Sequence, residues 1–293
     1  MSDEESVSTV VVPKARVGLA DLSQLHRITR HHFDGEISKC DFRNFHFLDV
    51  NAKNAEFINC DFSYAVFERA YFRNAKFKNC RFVGVKFIES NFREASFFQC
   101  DFRYAEFRLC LLHAREIVAN LPYEPNLRSE VLRHLRVNAV STGDHKEQSF
   151  LVLQELDAGR EHHYRALTGA NSYYKQKYPS FFDRVKSAAF LLRYYLSSFF
   201  WGHGEKPSNI IYSAILLLLV VSLINFWSVM PRVGWAEARG GISILRYTVE
   251  LFLGMNPEKT FAGFWWTDFL VVVGRYLYVG LFISVLSRRI SNR

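Results

Sequence analysis

Cys60-Asp61-Phe62-Ser63-Tyr64, Ala65-Val66-Phe67-Glu68-Arg69, Ala70-Tyr71-Phe72-Arg73-Asn74 and Ala75-Lys76-Phe77-Lys78-Asn79 are consecutive five-residue units built to one plan. The plan continues in both directions. Phe occupies every fifth position from Phe42 to Phe107 except Ala52, and Ile37 and Leu112 extend the series. Two residues before each sits a small or apolar side chain, and the residues between are mostly polar. A period of five fits neither a helix, which repeats its face at about 3.6 residues, nor a strand, which repeats at 2. Two apolar residues flanking a polar one read as a short strand contact, and the polar pair that follows reads as a turn. Four such units close a square coil of twenty residues, stacked on the next at the strand spacing of about 4.8 Å.

The cysteines give the same number independently. All five lie at the small position, and Cys40, Cys60, Cys80 and Cys100 are twenty residues apart. On a square coil they form one ladder, with Phe42, Phe62, Phe82 and Phe102 as a parallel ladder beside it. In Cys60-Asp61-Phe62, Ser90-Asn91-Phe92 and Cys100-Asp101-Phe102 the pattern resembles the pentapeptide-repeat family. The resemblance implies a right-handed quadrilateral β-helix of just under four coils over residues 36–115. Such a solenoid buries its core only by stacking, so its ends need caps.

At 293 residues the chain has room for two or three domains, and with 49% hydrophobic residues and 28 Phe, core material is not limiting. Net charge is +8. Glu36 to Arg115 holds 13 Lys/Arg against 10 Asp/Glu, so the repeat is nearly neutral and the excess lies beside the later apolar segments. That distribution favours anionic lipid over nucleic acid as the partner of the basic residues, and speaks against a DNA-mimicking solenoid, which needs an acidic surface. Asp3, Glu4 and Glu5 predict no cleavable leader. Residues 1–35 read as an arm and cap.

After Leu112 the fivefold rhythm stops. Leu127, Val131, Leu135 and Ala139 predict a helix ending near Gly143, and Phe150, Leu153, Leu156, Tyr164 and Leu167 a second, so residues 116–206 read as a helical linker. Its last part, Phe181 to Trp201, has aromatic and aliphatic residues on one side and Asp183, Arg184, Lys186 and Arg193 on the other, the pattern of a helix lying in a membrane interface. Ser208 to Met230 is uncharged over 23 residues, long enough to cross a hydrocarbon core of about 30 Å. A second span is expected from Phe264 to Ser287, with Asp268 near its start and Arg275 well inside. A charge at that depth faces protein or water, so Arg275 is expected to pair with Asp268 or Glu250 of the same or an adjacent subunit, or to snorkel. Between the spans, residues 240–258 are apolar, too short to cross, and carry Arg246 and Glu250, which predicts a re-entrant or interfacial helix. The basic residues flanking the spans predict cytoplasmic termini, where five free thiols are expected.

Residues 207–293 resemble the two-helix potassium-channel-like domain fused to some bacterial pentapeptide-repeat proteins. The match rests on Gly202-His203-Gly204-Glu205-Lys206-Pro207, on Tyr247 to Leu253, and on Gly274-Arg275 through Gly280-Leu281-Phe282 to Arg288-Arg289. The resemblance implies a homotetramer in the bacterial inner membrane and a monovalent cation as permeant ion. Phe252, Leu253, Gly254, Met255 and Asn256 fall at the filter, with Gly274 and Gly280 as bending or close-packing points of the second helix. The chain departs from the family's Thr-x-Gly-Tyr/Phe-Gly-Asp filter: Phe252 replaces the threonine, Asn256 the second glycine and Pro257 the acid. The alternative is a non-conducting membrane scaffold that binds a protein partner through the β-helix, with Tyr64 and Tyr104 exposed. No triad, phosphate loop or carboxylate pair is present, so neither enzymatic activity nor a cofactor is expected. No cysteine has metal-ligand spacing, and the adjacent pairs His31-His32 and His162-His163 read as surface histidines.

Overall fold

Each five-residue unit carries the chain around one corner, and the corner explains the unit's composition. In the computed structural model, which describes residues 26–233, 238–259, 261 and 263–291, the second residue after each ladder position has a left-handed backbone. φ is +60° at Asn44, +62° at Asn54, +55° at Asn59 and +60° at Tyr64. The Asp or Asn that precedes the Phe holds the turn: Asp61 Oδ1 accepts from the N–H of Ser63 at 2.9 Å, Asn91 Oδ1 from that of Arg93 at 3.0 Å and Asp101 Oδ1 from that of Arg103 at 3.1 Å. These side chains stand in for a backbone turn bond.

Four sides result, giving a β-solenoid of about four turns. One side is a parallel sheet of β1 (His26–Thr29), β3 (Phe45–Leu48), β5 (Val66–Glu68), β7 (Lys86–Ile88) and β9 (Glu106–Arg108). A second holds β2 (Glu36–Ser38), β4 (Glu56–Ile58), β6 (Lys76–Lys78) and β8 (Ser96–Phe98). The other two are ladders of single bridges, Asp41–Asp61–Arg81–Asp101 and Asn51–Tyr71–Asn91–Leu111. From β2 onward every register step is twenty residues, as in Phe57 opposite Phe77 and Phe67 opposite Phe87. Rings on one side stack nearly parallel: Phe42 on Phe62 at 5.2 Å, Phe62 on Phe82 at 5.2 Å and Phe82 on Phe102 at 5.1 Å between centroids. Rings on neighbouring sides meet edge to face, Phe57 against Phe62 at 5.6 Å and 75°. Each ring is buried, and removing one Phe side chain from water contributes about 1.5–3 kcal/mol.

The first coil departs from the rhythm. β1 pairs with β3 at an offset of nineteen residues, Ile28 opposite Phe47. Asp34-Gly35 covers in two residues the corner that Lys53-Asn54-Ala55 covers in three, and Glu56 N–H accordingly donates to Gly35 O at 2.9 Å. Residues 26–35, read from the sequence as arm and cap, therefore belong to the coil; the rest of that arm lies outside the described residues. The shift puts Phe33 opposite Ala52, since His32 bridges Asn51 and the Phe33 N–H donates to Asn51 O. Phe33 packs edge-on to Phe42, Phe47 and Phe57 at 6.2, 6.1 and 5.8 Å. The one gap in the Phe series is thus filled by a ring from the preceding coil.

At the other end two amides close the ladder. Asn120 holds the next twenty-residue place after Cys100. Its Nδ2 donates to Phe97 O at 3.0 Å, as Cys100 Sγ donates to Phe77 O at 3.5 Å, and its Oδ1 accepts from Cys100 N–H at 3.0 Å. Asn138 is buried and takes both main-chain groups of Cys110, at 2.7 and 2.9 Å. It sits on α2 (Pro125–Ser141), which follows the short α1 (Ala114–Val118) and forms a hairpin with α3 (His145–Thr168). Val131, Leu132, Leu135, Ala139, Leu151 and Ala158 continue the solenoid core, so this hairpin is the cap of the coil and not only a linker.

α4 (Ser172–Lys177) and α5 (Phe181–Trp201) follow. His162 is half-buried rather than on the surface, because α4 brings Tyr174 and the loop beyond it Tyr178 to its two ring nitrogens, at 3.2 and 2.9 Å. His163 is likewise half-buried and lies 3.3 Å from Ser187 Oγ. The chain divides into two compact units at Ala188 and Ala189. The second contains the end of α5, then α6 (Ser208–Val233), α7 (Ala238–Phe252) and α8 (Trp265–Ser291).

The size match at the first coil makes a prediction. Phe33→Ala is expected to destabilise the full-length protein by about 3–5 kcal/mol, the cost of emptying a Phe site. Adding Ala52→Phe is expected to recover part of that loss while costing stability by itself, because it overfills the site when Phe33 is present. Denaturant unfolding followed by far-UV circular dichroism measures all three; losses that simply add would contradict the match.

Candidate functional site

Two regions carry the features that the sequence singled out. The first is the outer surface of the solenoid. Its charges are mostly engaged between coils: Arg69 with Asp49 at 2.7 Å, Lys78 with Glu56 at 2.5 Å and Arg73 with Glu94 at 2.9 Å. Exposed pairs of this kind contribute about 0–1 kcal/mol each, so their main effect is to leave the faces nearly neutral. Apolar and aromatic groups stand out on that background. Tyr64 and Tyr104 are 57% and 49% exposed and flank Gly84 in one corner column, and a Cβ on Gly84 would meet the Tyr64 ring at 2.8 Å. Phe98, on β8, is 62% exposed and did not stand out in the sequence because it sits in a polar place of the repeat.

The cysteine ladder runs inside. Cys60, Cys80, Cys100 and Cys110 are buried and Cys40 is half-buried, all as free thiols. Each of the three central thiols donates to a carbonyl of the preceding coil, Cys60 to Ile37 O, Cys80 to Phe57 O and Cys100 to Phe77 O. Burial pushes the Cys100 and Cys110 thiols up to about 11. No cluster of His, Cys, Asp and Glu among the described residues has metal-binding geometry.

The second region is the helical unit. Two of its helices are long and apolar enough to cross a membrane, Ser208–Ser228 and Trp265–Ser287. Thr267 Oγ1 donates to the buried Asn225 Oδ1 at 3.1 Å and fixes α8 against α6. A Cβ on Gly274 would meet Leu217 at 2.8 Å, so this glycine permits close packing, whereas Gly280 has nothing within 4 Å and makes no such contact in the chain. α7 lies between the two long helices in sequence and ends in a turn at Gly254, where φ is +89°. Of the five residues aligned with a filter, Phe252 packs toward Tyr278 in the helical core, while Leu253, Gly254, Met255 and Asn256 are exposed.

The charged side chains pair differently from the expectation. Asp268 holds Lys259 at 2.6 Å and Glu250 holds Arg246 one helical turn away at 2.7 Å. Both carboxylates are thus taken by nearer lysine and arginine groups, and Arg275 pairs with neither within the chain. Its guanidinium instead lies over the α7 turn, where a Cβ on Gly254 would meet Nη1 at 2.7 Å, and Nη2 donates to Tyr276 OH at 2.9 Å. Sequence alone had no way to weigh Lys259 against Arg275, since the loop that carries Lys259 folds back on α8.

The thiols give a test. In the unfolded chain they ionise near 9, and in the fold Cys100 and Cys110 ionise near 11. The raised folded values mean that this stabilisation is complete below pH 9 and is lost as pH rises through 11. At pH 8, maleimide labelling of the native protein is expected to modify Cys40 first, with the four buried thiols reacting only on unfolding.

Comparison with known proteins agrees with the solenoid. Residues 50–120 match the family described as "Pentapeptide repeat region". Among solved structures the chain is similar to QnrB1, a plasmid-mediated fluoroquinolone resistance protein, at 22% identity over 29% of this chain and 47% of that one, with a TM-score of 0.21. It is also similar to the pentapeptide repeat protein Rfr23 from the cyanobacterium Cyanothece 51142, at 12% identity over 34% of this chain and 88% of that one, with a TM-score of 0.13. The chain therefore spans about half the length of QnrB1. No curated protein sequence matches it. The repeat at residues 50–120, with its fivefold corners and twenty-residue register, is a pentapeptide-repeat domain.

Proposed function

We propose that the chain is a membrane-anchored protein whose pentapeptide-repeat solenoid docks a protein partner. The observation that carries the anchoring is the unburied apolar surface of α6 and α8: only 28% and 22% of their apolar windows are covered within the chain. Ile211, Leu223, Trp227, Phe269, Leu277 and Ile283 are among the exposed side chains. So much apolar surface is incompatible with water unless covered, and lipid covers it at no cost in specificity. The exposed Phe181 and Phe182 on α5, next to Arg184 and Lys186, support the same anchoring by an interfacial helix. By the charge rule both termini face the cytoplasm of a bacterial inner membrane. The nearly neutral solenoid with exposed Tyr64, Phe98 and Tyr104 supports docking to protein, since interface centres favour aromatic groups and few charges. A non-enzymatic role follows from this reading.

A second reading, a channel-like oligomer, is supported by one arrangement: a short helix between two long apolar ones, ending at Gly254 with a left-handed turn. In this reading the re-entrant segment and α8 of several subunits, four by family resemblance, line a path. A potassium filter needs bare carbonyl oxygens, and the Arg275 guanidinium puts fixed positive charge against Gly254 instead. Conduction here is therefore not potassium-selective.

Two measurements test these readings, the first the anchoring that both share and the second the channel. The full-length protein is expected to remain with membranes after alkaline carbonate washing, and release into the wash would end the anchoring proposal. In liposomes, Arg275→Gln is expected to raise cation over anion permeability several-fold. Leak no greater than that of protein-free vesicles for the wild type, Gly254→Leu and Arg275→Gln alike would leave the scaffold reading alone.

A further inference from the structure

The end of α5 and the start of α6 form a groove of about 580 Å³, lined by Tyr195, Ser198 and Phe199 on the first helix and by Asn209, Tyr212 and Leu216 on the second. Two side chains fix the helices against each other there. Asn209 Nδ2 donates to Ser198 O at 2.7 Å, and Ser213 Oγ donates to Phe200 O at 3.1 Å. The groove is open along its length, and its walls Tyr195, Phe199, Tyr212 and Leu216 are all exposed, so a ligand reaches it without any helix moving. Its two ends differ in chemistry. At one end the Asn209 N–H donates to Lys206 O at 3.1 Å, which puts the exposed Lys206 immediately beside the polar part of the lining. A Cβ on Gly202 would meet both Lys206 Cβ, at 2.5 Å, and Asn209 Nδ2, at 3.3 Å, so the bare glycine lets these two side chains come together. At the other end Leu219, Val220 and Leu223 follow Leu216 at helical spacings of three, four and seven and are exposed as well, so the apolar wall runs on along α6. A cation at one end and a long apolar track leading away from it match an amphiphile better than a compact solute.

We propose that this groove holds one phospholipid of the surrounding leaflet. The Lys206 ammonium, on its flexible stem, pairs with the phosphodiester. Tyr195 and Tyr212, rings with an apolar body and a polar tip, border the glycerol region, where such side chains are favoured. One acyl chain lies along Phe199 and Leu216 and continues over Leu219 and Leu223. Such a site rests on the membrane anchoring proposed above and is independent of whether the helical unit conducts.

Native mass spectrometry of the full-length protein in mild detergent, mixed with dioleoyl phosphatidylglycerol or with dioleoylglycerol, tests it. The two probes share their chains and glycerol and differ in the phosphate-bearing head. One phosphatidylglycerol per chain is expected to stay bound, at least tenfold more tightly than dioleoylglycerol. Leu216→Trp, which fills the groove, is expected to weaken that binding at least tenfold, whereas Leu277→Trp, on an exposed α8 residue outside the lining, is expected to leave it unchanged. Lys206→Gln, on an exposed residue, is expected to bring phosphatidylglycerol down to the level of dioleoylglycerol, and this contrast decides the matter should Leu216→Trp disturb the helices. Three results would overturn the site while leaving the anchoring in place: a protein that resists carbonate washing but retains no phosphatidylglycerol, equal retention of the two probes, or equal loss from Leu216→Trp and Leu277→Trp. Release of the wild type into the wash would end both proposals.

Discussion

The solenoid depends on a left-handed residue at every corner. From Lys39 to Leu109 each fifth residue has positive φ, and apart from five Asn, one Asp and Gly84 these are residues such as Glu89, Gln99, Tyr104 and Leu109 that disfavour it. The conformation costs roughly 1–2 kcal/mol for an ordinary L-residue. From Lys39 to Glu89 it is held from the next coil, as where Asn59 N–H donates to Lys78 O at 2.9 Å and Tyr64 N–H to Val83 O at 2.8 Å. Glu94, Gln99, Tyr104 and Leu109, on the last coil, keep the same conformation without that bond. Stacking thus helps to offset the local strain wherever a coil follows, and it sets each Phe ring above its equivalent.

That coupling gives the caps their importance. The last coil has main-chain groups with no next coil to meet, and unpaired buried groups are expensive. Asn120 and Asn138 answer this with side-chain amides, each presenting a donor and an acceptor spaced like a peptide group. At the first coil the adjustment is steric instead, a ring from Phe33 compensating the short side chain of Ala52.

The repeating part of this arrangement was legible because one residue type at one period fixes both the corner and the core. Its ends were not. Phe33 is displaced by one residue from the fivefold count, so it reads as part of an irregular arm until the nineteen-residue register of β1 is known. Asn120 keeps the twenty-residue spacing of Cys40, Cys60, Cys80 and Cys100 and was visible in principle, but the Phe rhythm that draws attention to the ladder has stopped by then. Asn138 sits on a helix, where polar residues are ordinary, and only its bonds to Cys110 of the last coil give it its role. In the helical unit, composition identified the long apolar helices, but partner choice among Arg246, Lys259 and Arg275 depends on loop paths that periodicity does not encode.

Charge accounting then distinguishes the polar groups of the helical unit. Glu250 and Asp268 are each matched by a cation within the same chain, and neither needs a neighbour. Arg275 keeps a full positive charge beside the end of α7, where the helix carbonyls supply about half a negative charge in compensation. Tyr276 adds its hydroxyl and its ring face, 4.6 Å from the guanidinium carbon. Partial charges of this size hold a guanidinium in place without neutralising it. Gly254 leaves room for the guanidinium as it lies, since a Cβ there would come within 2.7 Å of Nη1.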